Sequence, residues 1–184
     1  MTEHGLSASM AASTPTVDHR DVADVAAEVV RLLRDRGYTV ATAESLTGGL
    51  VCAALTDVAG SSAVVRGGLA AYATEVKRDL LGISGAVIDT HGVVSEQTAA
   101  AMAQAAVRLF ASAWAVATTG VAGPVRLEDR PVGTVHIAVA GPAGDSDGLR
   151  VEAKELRLDG SRTQIRTTTV AYALRMLADR LRAS

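Results

Sequence analysis

Aromatic residues are scarce: one tryptophan, three tyrosines and one phenylalanine among 184 residues. That scarcity excludes a base-stacking platform for single-stranded nucleic acid, and it leaves Ala, Val, Leu and Ile to build the core. Positive charge is not in excess either, with a formal net charge of -2. Nucleic acid is therefore not an expected partner, because neutralising phosphates requires a clustered basic surface. Cysteine occurs once, as Cys52, so no intramolecular disulfide can form and a reducing cytoplasm is the expected location. Within "GGLVCAAL" that cysteine reads as small buried filler. No uncharged apolar run approaches the ~20 residues of a membrane span. Residues 1–15 lack the basic start and apolar stretch of a signal peptide; they are expected to form a disordered tail before one domain spanning 16–184.

Several catalytic signatures are missing as well. There is no H-x-x-x-H, no C-x-x-C and no close Asp/Glu/His cluster, so no metal is expected. The phosphate-cradling P-loop is absent, "GVAGP" is too short for a dinucleotide fingerprint, and no cofactor is expected. The serine-hydrolase elbow G-x-S-x-G does not occur. None of the histidines is an obvious partner for a serine: His4 and His19 lie in or near the tail, His91 in a connector, and His136 in the middle of a strand.

What is present is a chain 48% hydrophobic and 21% charged, enough for a sizeable core. Apolar positions at helical spacing predict a helix over 17–36, stopped by Gly37. "YTVATAE" predicts a strand, and Thr47 is placed to cap a helix through "GGLVCAALTDV". "SAVVRGGLAAY" reads as a strand with a bulge at its glycines. Thr74 begins a short helix, "AVIDTHG" reads as a connector, and Ser95 caps the helix former run that follows. "WAVATTG", "VGTVHIAVAG" and "RVEAKELRL" read as strands, the last two antiparallel about the turn cluster at 141–148, and the chain closes in a helix. Interleaved elements of this kind predict an α/β domain, a three-layer α/β/α sandwich with a mixed sheet. Sites in such sheets collect where strands end and helices begin, which selects the loops at 44–49 and 119–124.

In "ATAESLTGG", Ser45 follows a strand and precedes a helix, where first-turn amides of Leu46, Thr47, Gly48 and Gly49 are unpaired. Such donors suit an oxyanion or a phosphate. Ser45 is either a cap of that turn or a nucleophile within it. A serine without histidine needs another base, and "AYATEVKRDL" offers Tyr72 and Lys77. Lysine accepts a proton only if burial or nearby cations depress its pKa; an exposed helical lysine is the alternative. Tyr72 is either a half-buried anchor or a proton relay.

Taken together, "TAESLTGG", "AAYATEVKRDLLGI", "HGVVSEQTAAAMA", "TGVAGP" and "PVGTVHIAVAG" resemble the CinA C-terminal domain family, from about Val25 to the last helix. Some members of that family stand alone as nicotinamide-nucleotide amidohydrolases. The resemblance implies hydrolysis of the carboxamide of nicotinamide mononucleotide by a serine with a lysine base, without metal or cofactor. Carried over by motif, Ser45 matches the serine of A-E-S-x-T-G-G, and Tyr72 and Lys77 match A-Y-x-x-x-x-K. Thr119, Gly120 and Gly123 match the family's second loop and are expected to line the pocket. Arg162 and Arg166, four apart on the last helix, are candidates for the substrate phosphate.

Two departures from the pattern stand out. Leu46 replaces the usual cysteine, and Val125, Arg126 and Leu127 intervene where the family continues with glycines. The second bears on which ligand the pocket takes. An amidase for another substrate and a non-catalytic nucleotide-binding protein are therefore the competing readings. The alanine-rich helix at 95–113 and the family resemblance make a homo-oligomer the expected state.

Overall fold

The computed structural model describes residues 17–144 and 148–184. The expected tail at 1–15 and the middle of the turn cluster at 141–148 lie outside them. Six helices and five strands follow in the order α1 (His19–Arg36), β1 (Val40–Glu44), α2 (Leu50–Thr56), β2 (Val65–Ala70), α3 (Thr74–Asp79), α4 (Gly85–His91), α5 (Glu96–Phe110), β3 (Trp114–Gly120), β4 (Thr134–Pro142), β5 (Leu149–Arg157) and α6 (Arg162–Arg182). The sheet order is β2-β1-β3-β4-β5. β1 is parallel to β2 and β3, whereas β4 is antiparallel to β3 and β5. The sheet is therefore mixed, as the sequence predicts.

Strand alternation sorts residues by size as well as by polarity. Val40, Trp114, Val116, Val135, Ile137 and Val139 form one face and pack with α1, α2 and α6. Ala41, Ala43, Ala115, Ala117, Ala138 and Ala140 form the other, against Ala99, Met102, Ala103 and Ala106 of α5. Period-two side-chain direction produces this division. Apart from Met102, these side chains are methyl-sized on both partners, so the shortage of aromatics has a structural counterpart.

The helix ends are set locally. Asp18 and Asp21 form a reciprocal capping box on α1, and Gly37 ends that helix at φ 66°. Ser161 and Gln164 do the same for α6. The register between β1 and β2 does shift, but at Arg66, skipped between the Val40 and Ala41 pairings; Gly67 and Gly68, where the bulge is expected, pair regularly with Ala41 and Thr42. The predicted strand at 62–72 is shorter than expected, because Ser61–Ala63 forms a 3₁₀ turn before it.

"AVIDTHG" is not a connector. It lies in α4, where Ser84 accepts the amide of Val87 and Ile88 is buried. A seven-residue helix has too little propensity to declare itself, and here a cap and one anchor stabilise it. Cys52 is half-buried rather than enclosed. No helix among the described residues is long and apolar enough to cross a membrane.

Candidate active site

The chain leaves β1 over one face of the sheet, through α2 to β2, and returns over the other, through α3, α4 and α5 to β3. The neighbouring C-terminal ends of β1 and β3 therefore face a topological switch point, where open α/β sheets form their binding crevices. Ser45 follows β1 at this point, and Gly120 ends β3. The amide of Ser45 extends the ladder by donating to the Thr118 carbonyl at 2.9 Å. The chain then turns back, with the Gly48 amide donating to the Ser45 carbonyl at 3.1 Å. Gly48 and Gly49 have φ of 60° and 99°, a region in which other residues carry a Cβ penalty.

Thr47 does not cap α2. Its hydroxyl pairs with that of Thr118 at 2.7 Å. The cap comes instead from Glu44, the last residue of the strand, which is 1% exposed. One carboxylate oxygen accepts the amides of Gly49 and Val51 at 2.9 and 3.0 Å. The other accepts the Cys52 amide at 2.8 Å and the Thr42 hydroxyl at 3.0 Å. A carboxylate at a helix N-terminus is favoured both by the unpaired amides and by the helix dipole. The expectation of free amides throughout 46–49 is thereby corrected. Gly48 and Gly49 are engaged, while the amides of Leu46 and Thr47 have no acceptor among the described residues.

Lys77 is not an exposed helical lysine. It is 2% exposed, and Ser45 is 9% exposed. The amine donates to the Ser45 hydroxyl and to the Tyr72 carbonyl, both at 3.2 Å. Burial pushes the ammonium pKa below the ordinary lysine value, while the charges of Glu128 and Glu75 act in the opposite sense. The structure thus unites Ser45 and Lys77, 32 positions apart.

Tyr72 meets Lys77 through its backbone. Its side chain is 61% exposed, so it is not a half-buried anchor, and its hydroxyl accepts from Arg162 at 3.0 Å. Arg162 also donates to the carbonyl of Gly123 at 2.5 Å, tying the "TGVAGP" loop to the start of α6. Arg166 turns toward the serine loop. Nε donates to the Leu46 carbonyl at 3.0 Å and Nη2 to the Thr47 carbonyl at 2.7 Å.

Thr119 is buried and donates to the Val93 carbonyl at 2.7 Å. Gly120 packs against β4, where an added Cβ would lie 2.7 Å from the Thr134 carbonyl oxygen. Gly123 allows Val132 the same close approach.

Glu44 and Glu128 are absent from the sequence-derived candidates. A carboxylate closing an apolar run, before a helix with no capping side chain of its own, is the signal for Glu44. Glu128 occupies the tip of a two-residue hairpin in which Leu127 and Arg130 pair. It accepts the amides of Val93 and Val94 at 2.8 and 3.3 Å. Glu128 and Asp129 have φ of 48° and 58°, the left-handed turn more often made by Asn-Gly.

Residues 22–181 match the family model described as the CinA C-terminal domain. A CinA-like protein of Frankia casuarinae is 48% identical over 154 residues, covering 82% of this chain and 34% of its own length. Another, from Mycobacterium avium, is 50% identical over 157 residues, with 82% and 35% covered. The chain thus spans about a third of the length of these curated relatives. Among solved structures, the competence/damage inducible protein CihA of Agrobacterium tumefaciens aligns with a TM-score of 0.81 and 39% identity, covering 94% of this chain and 99% of that one. A CinA superfamily protein of Klebsiella pneumoniae aligns with a TM-score of 0.83 and 29% identity, covering 89% and 99%.

Proposed function

Since the chain belongs to the CinA C-terminal domain family, we propose that it hydrolyses the carboxamide of nicotinamide mononucleotide, giving nicotinic acid mononucleotide and ammonia. The observation that carries this reading is the contact between the Ser45 hydroxyl and a buried Lys77 amine. Burial disfavours the charged form of Lys77, so more of the amine is unprotonated and able to accept a proton than in an exposed lysine.

Neutral Lys77 keeps one N–H on the Tyr72 carbonyl and takes the Ser45 proton on its lone pair. The serine alkoxide attacks the carboxamide carbon. The resulting oxyanion is held by the amides of Leu46 and Thr47, the pair left over once Glu44 and the turn have used their neighbours. Lys77 returns its proton to the departing nitrogen and ammonia leaves. Water, deprotonated by the same amine, then cleaves the acyl ester and restores Ser45. Arg162, exposed and with donors to spare, is the candidate for the substrate phosphate; half-buried Gly120 and Gly123 supply the wall, whereas Thr119, expected there too, is buried with its hydroxyl on Val93.

The test is ammonia release from nicotinamide mononucleotide by the wild type and by Ser45→Ala. The wild type turns over and the variant loses at least ~10³-fold in kcat while still binding substrate. Near-normal turnover by Ser45→Ala would end the serine mechanism.

The hairpin at 127–130 favours a second reading, an amidase with a different substrate. Val125 and Leu127, which follow the "TGVAGP" loop, are exposed, and Glu128 ties the hairpin to the amides of Val93 and Val94. Comparing the nucleotide with free nicotinamide and other carboxamides separates the two.

A further inference from the structure

We infer that Arg166 is a positioning residue that aims the Thr47 amide, and so builds the anion-holding side of the Ser45 turn. This rests on the serine-acylation reading above and deepens it.

In a trans peptide the carbonyl and the following N–H point in opposite directions. The carbonyl of Leu46 is held at 3.0 Å by Nε of Arg166, so the N–H of the same peptide, that of Thr47, points away from α6. The α6 layer lies on the large-residue face of the sheet. Lys77 sits on α3, whose continuation packs through Leu81 and Ile83 on the opposite, alanine face. The Thr47 amide is thereby directed toward the half of the crevice that holds the Ser45–Lys77 pair.

The next peptide is fixed at both ends. Its carbonyl, that of Thr47, receives Nη2 of Arg166 at 2.7 Å, and its amide, that of Gly48, donates to the Ser45 carbonyl. One planar guanidinium spanning two successive carbonyls locks two peptide planes, which the single point charge of a lysine cannot do. Arg166 is half-buried and its Nη2 lies 3.5 Å from where a Cβ on Gly48 would stand, an ordinary contact distance, so glycine is required there by its φ of 60° and not by crowding from the fork. Donors held in advance are what make an oxyanion site effective, since none of their orientation has to be acquired during reaction.

A phosphate-binding role for Arg166 makes a different forecast, and an activated ester without a phosphate separates the two. The experiment follows acylation of Ser45 by p-nitrophenyl nicotinate, read as the burst of nitrophenolate in the wild type, Arg166→Met and Arg166→Lys. Positioning predicts an acylation rate lowered about 10²-fold in Arg166→Met, with the concentration dependence of the burst nearly unchanged and partial recovery on adding guanidinium ion. Wild-type acylation by Arg166→Met overturns the inference, as does a loss confined to the concentration dependence. Should Arg166→Met fail to fold, Arg166→Lys carries the same test: a slower burst at unchanged half-saturation supports positioning, and a wild-type burst overturns it. A wild type that releases no ammonia from the nucleotide but gives the burst sinks the proposed substrate and leaves Arg166 testable. A wild type with no burst at Ser45 sinks both.

Discussion

The carboxylate of Glu44 and the amide of Gly49 meet at 2.9 Å across the turn that carries Ser45, so the strand supplies the cap of the helix that follows it. All four of the carboxylate's hydrogen bonds are received, three from backbone amides and one from Thr42. Glutamine cannot substitute, because its NH₂ would face amide donors whichever way the side chain turned. Glu44→Gln is expected to destabilise the fold by about 3 kcal/mol, as for buried amides that lose a charged acceptor. Urea denaturation measures this, and an unchanged midpoint would contradict the capping role.

Lys77 gives a pH-dependent forecast. Its folded pKa is lowered by burial, so between that value and the ordinary lysine value the unfolded chain binds more protons and stability rises with pH. Below the folded pKa the protein bears the full cost of a buried charge. Lys77→Met is therefore expected to melt higher than the wild type at neutral pH, with the gain shrinking as pH climbs toward the lysine range, and to lack amidase activity. Paired melting curves across pH decide it; a gain that grows with pH would be the wrong sign.

Glu128 opposes the effect of burial on that amine. Glu128→Gln keeps an oxygen for the amides of Val93 and Val94 but removes the charge. The Lys77 pKa should fall further, moving the ascending limb of the kcat/KM profile to lower pH. A profile that stays in place, or moves up, would dissociate the hairpin from the base.

Tyr72 touches Lys77 only by its carbonyl. Tyr72→Phe is expected to lose less than about 10-fold in kcat, since general acid–base groups usually contribute 10²–10⁴. Any larger share of the effect should appear in KM, because the lost hydroxyl frees Arg162. A fall in kcat on the scale of Lys77→Met would restore a relay role to the phenol.

At Gly68 an added Cβ would stand 2.3 Å from Oγ1 of Thr42 and 2.9 Å from Sγ of Cys52. Thr42 is also the partner of Glu44. Gly68→Ala is expected to cost about 1–3 kcal/mol by overpacking, measured by the same urea titration.

The sheet and its two helical layers were legible because period-two and period-3.6 patterns are local. The Val–Ala alternation of "WAVATT" and the spacing of Val22, Val25, Val29 and Leu33 reveal which faces are buried. The loops of the crevice were legible from their glycines and their position after strands. The state of Lys77 was not, because its burial comes from α3 folding back on a turn 32 residues earlier, and nothing near "EVKRD" records that. Glu44 shows no task within its motif, since a strand-ending carboxylate looks solvated until the helix above it proves to lack another cap. Arg166 shows the same limit: its helical spacing suggested a free guanidinium, whereas docking of α6 commits it to two carbonyls.

The bonds from Thr47 to Thr118 and from Arg166 to Leu46 join positions 71 and 120 apart in the chain. During synthesis the loop around residue 45 must therefore wait, loosely held, for partners that emerge much later. Whatever chemistry the hydroxyl performs, its surroundings are completed only when the C-terminal helix docks, so a nascent or nicked molecule would carry the serine without the frame that directs it.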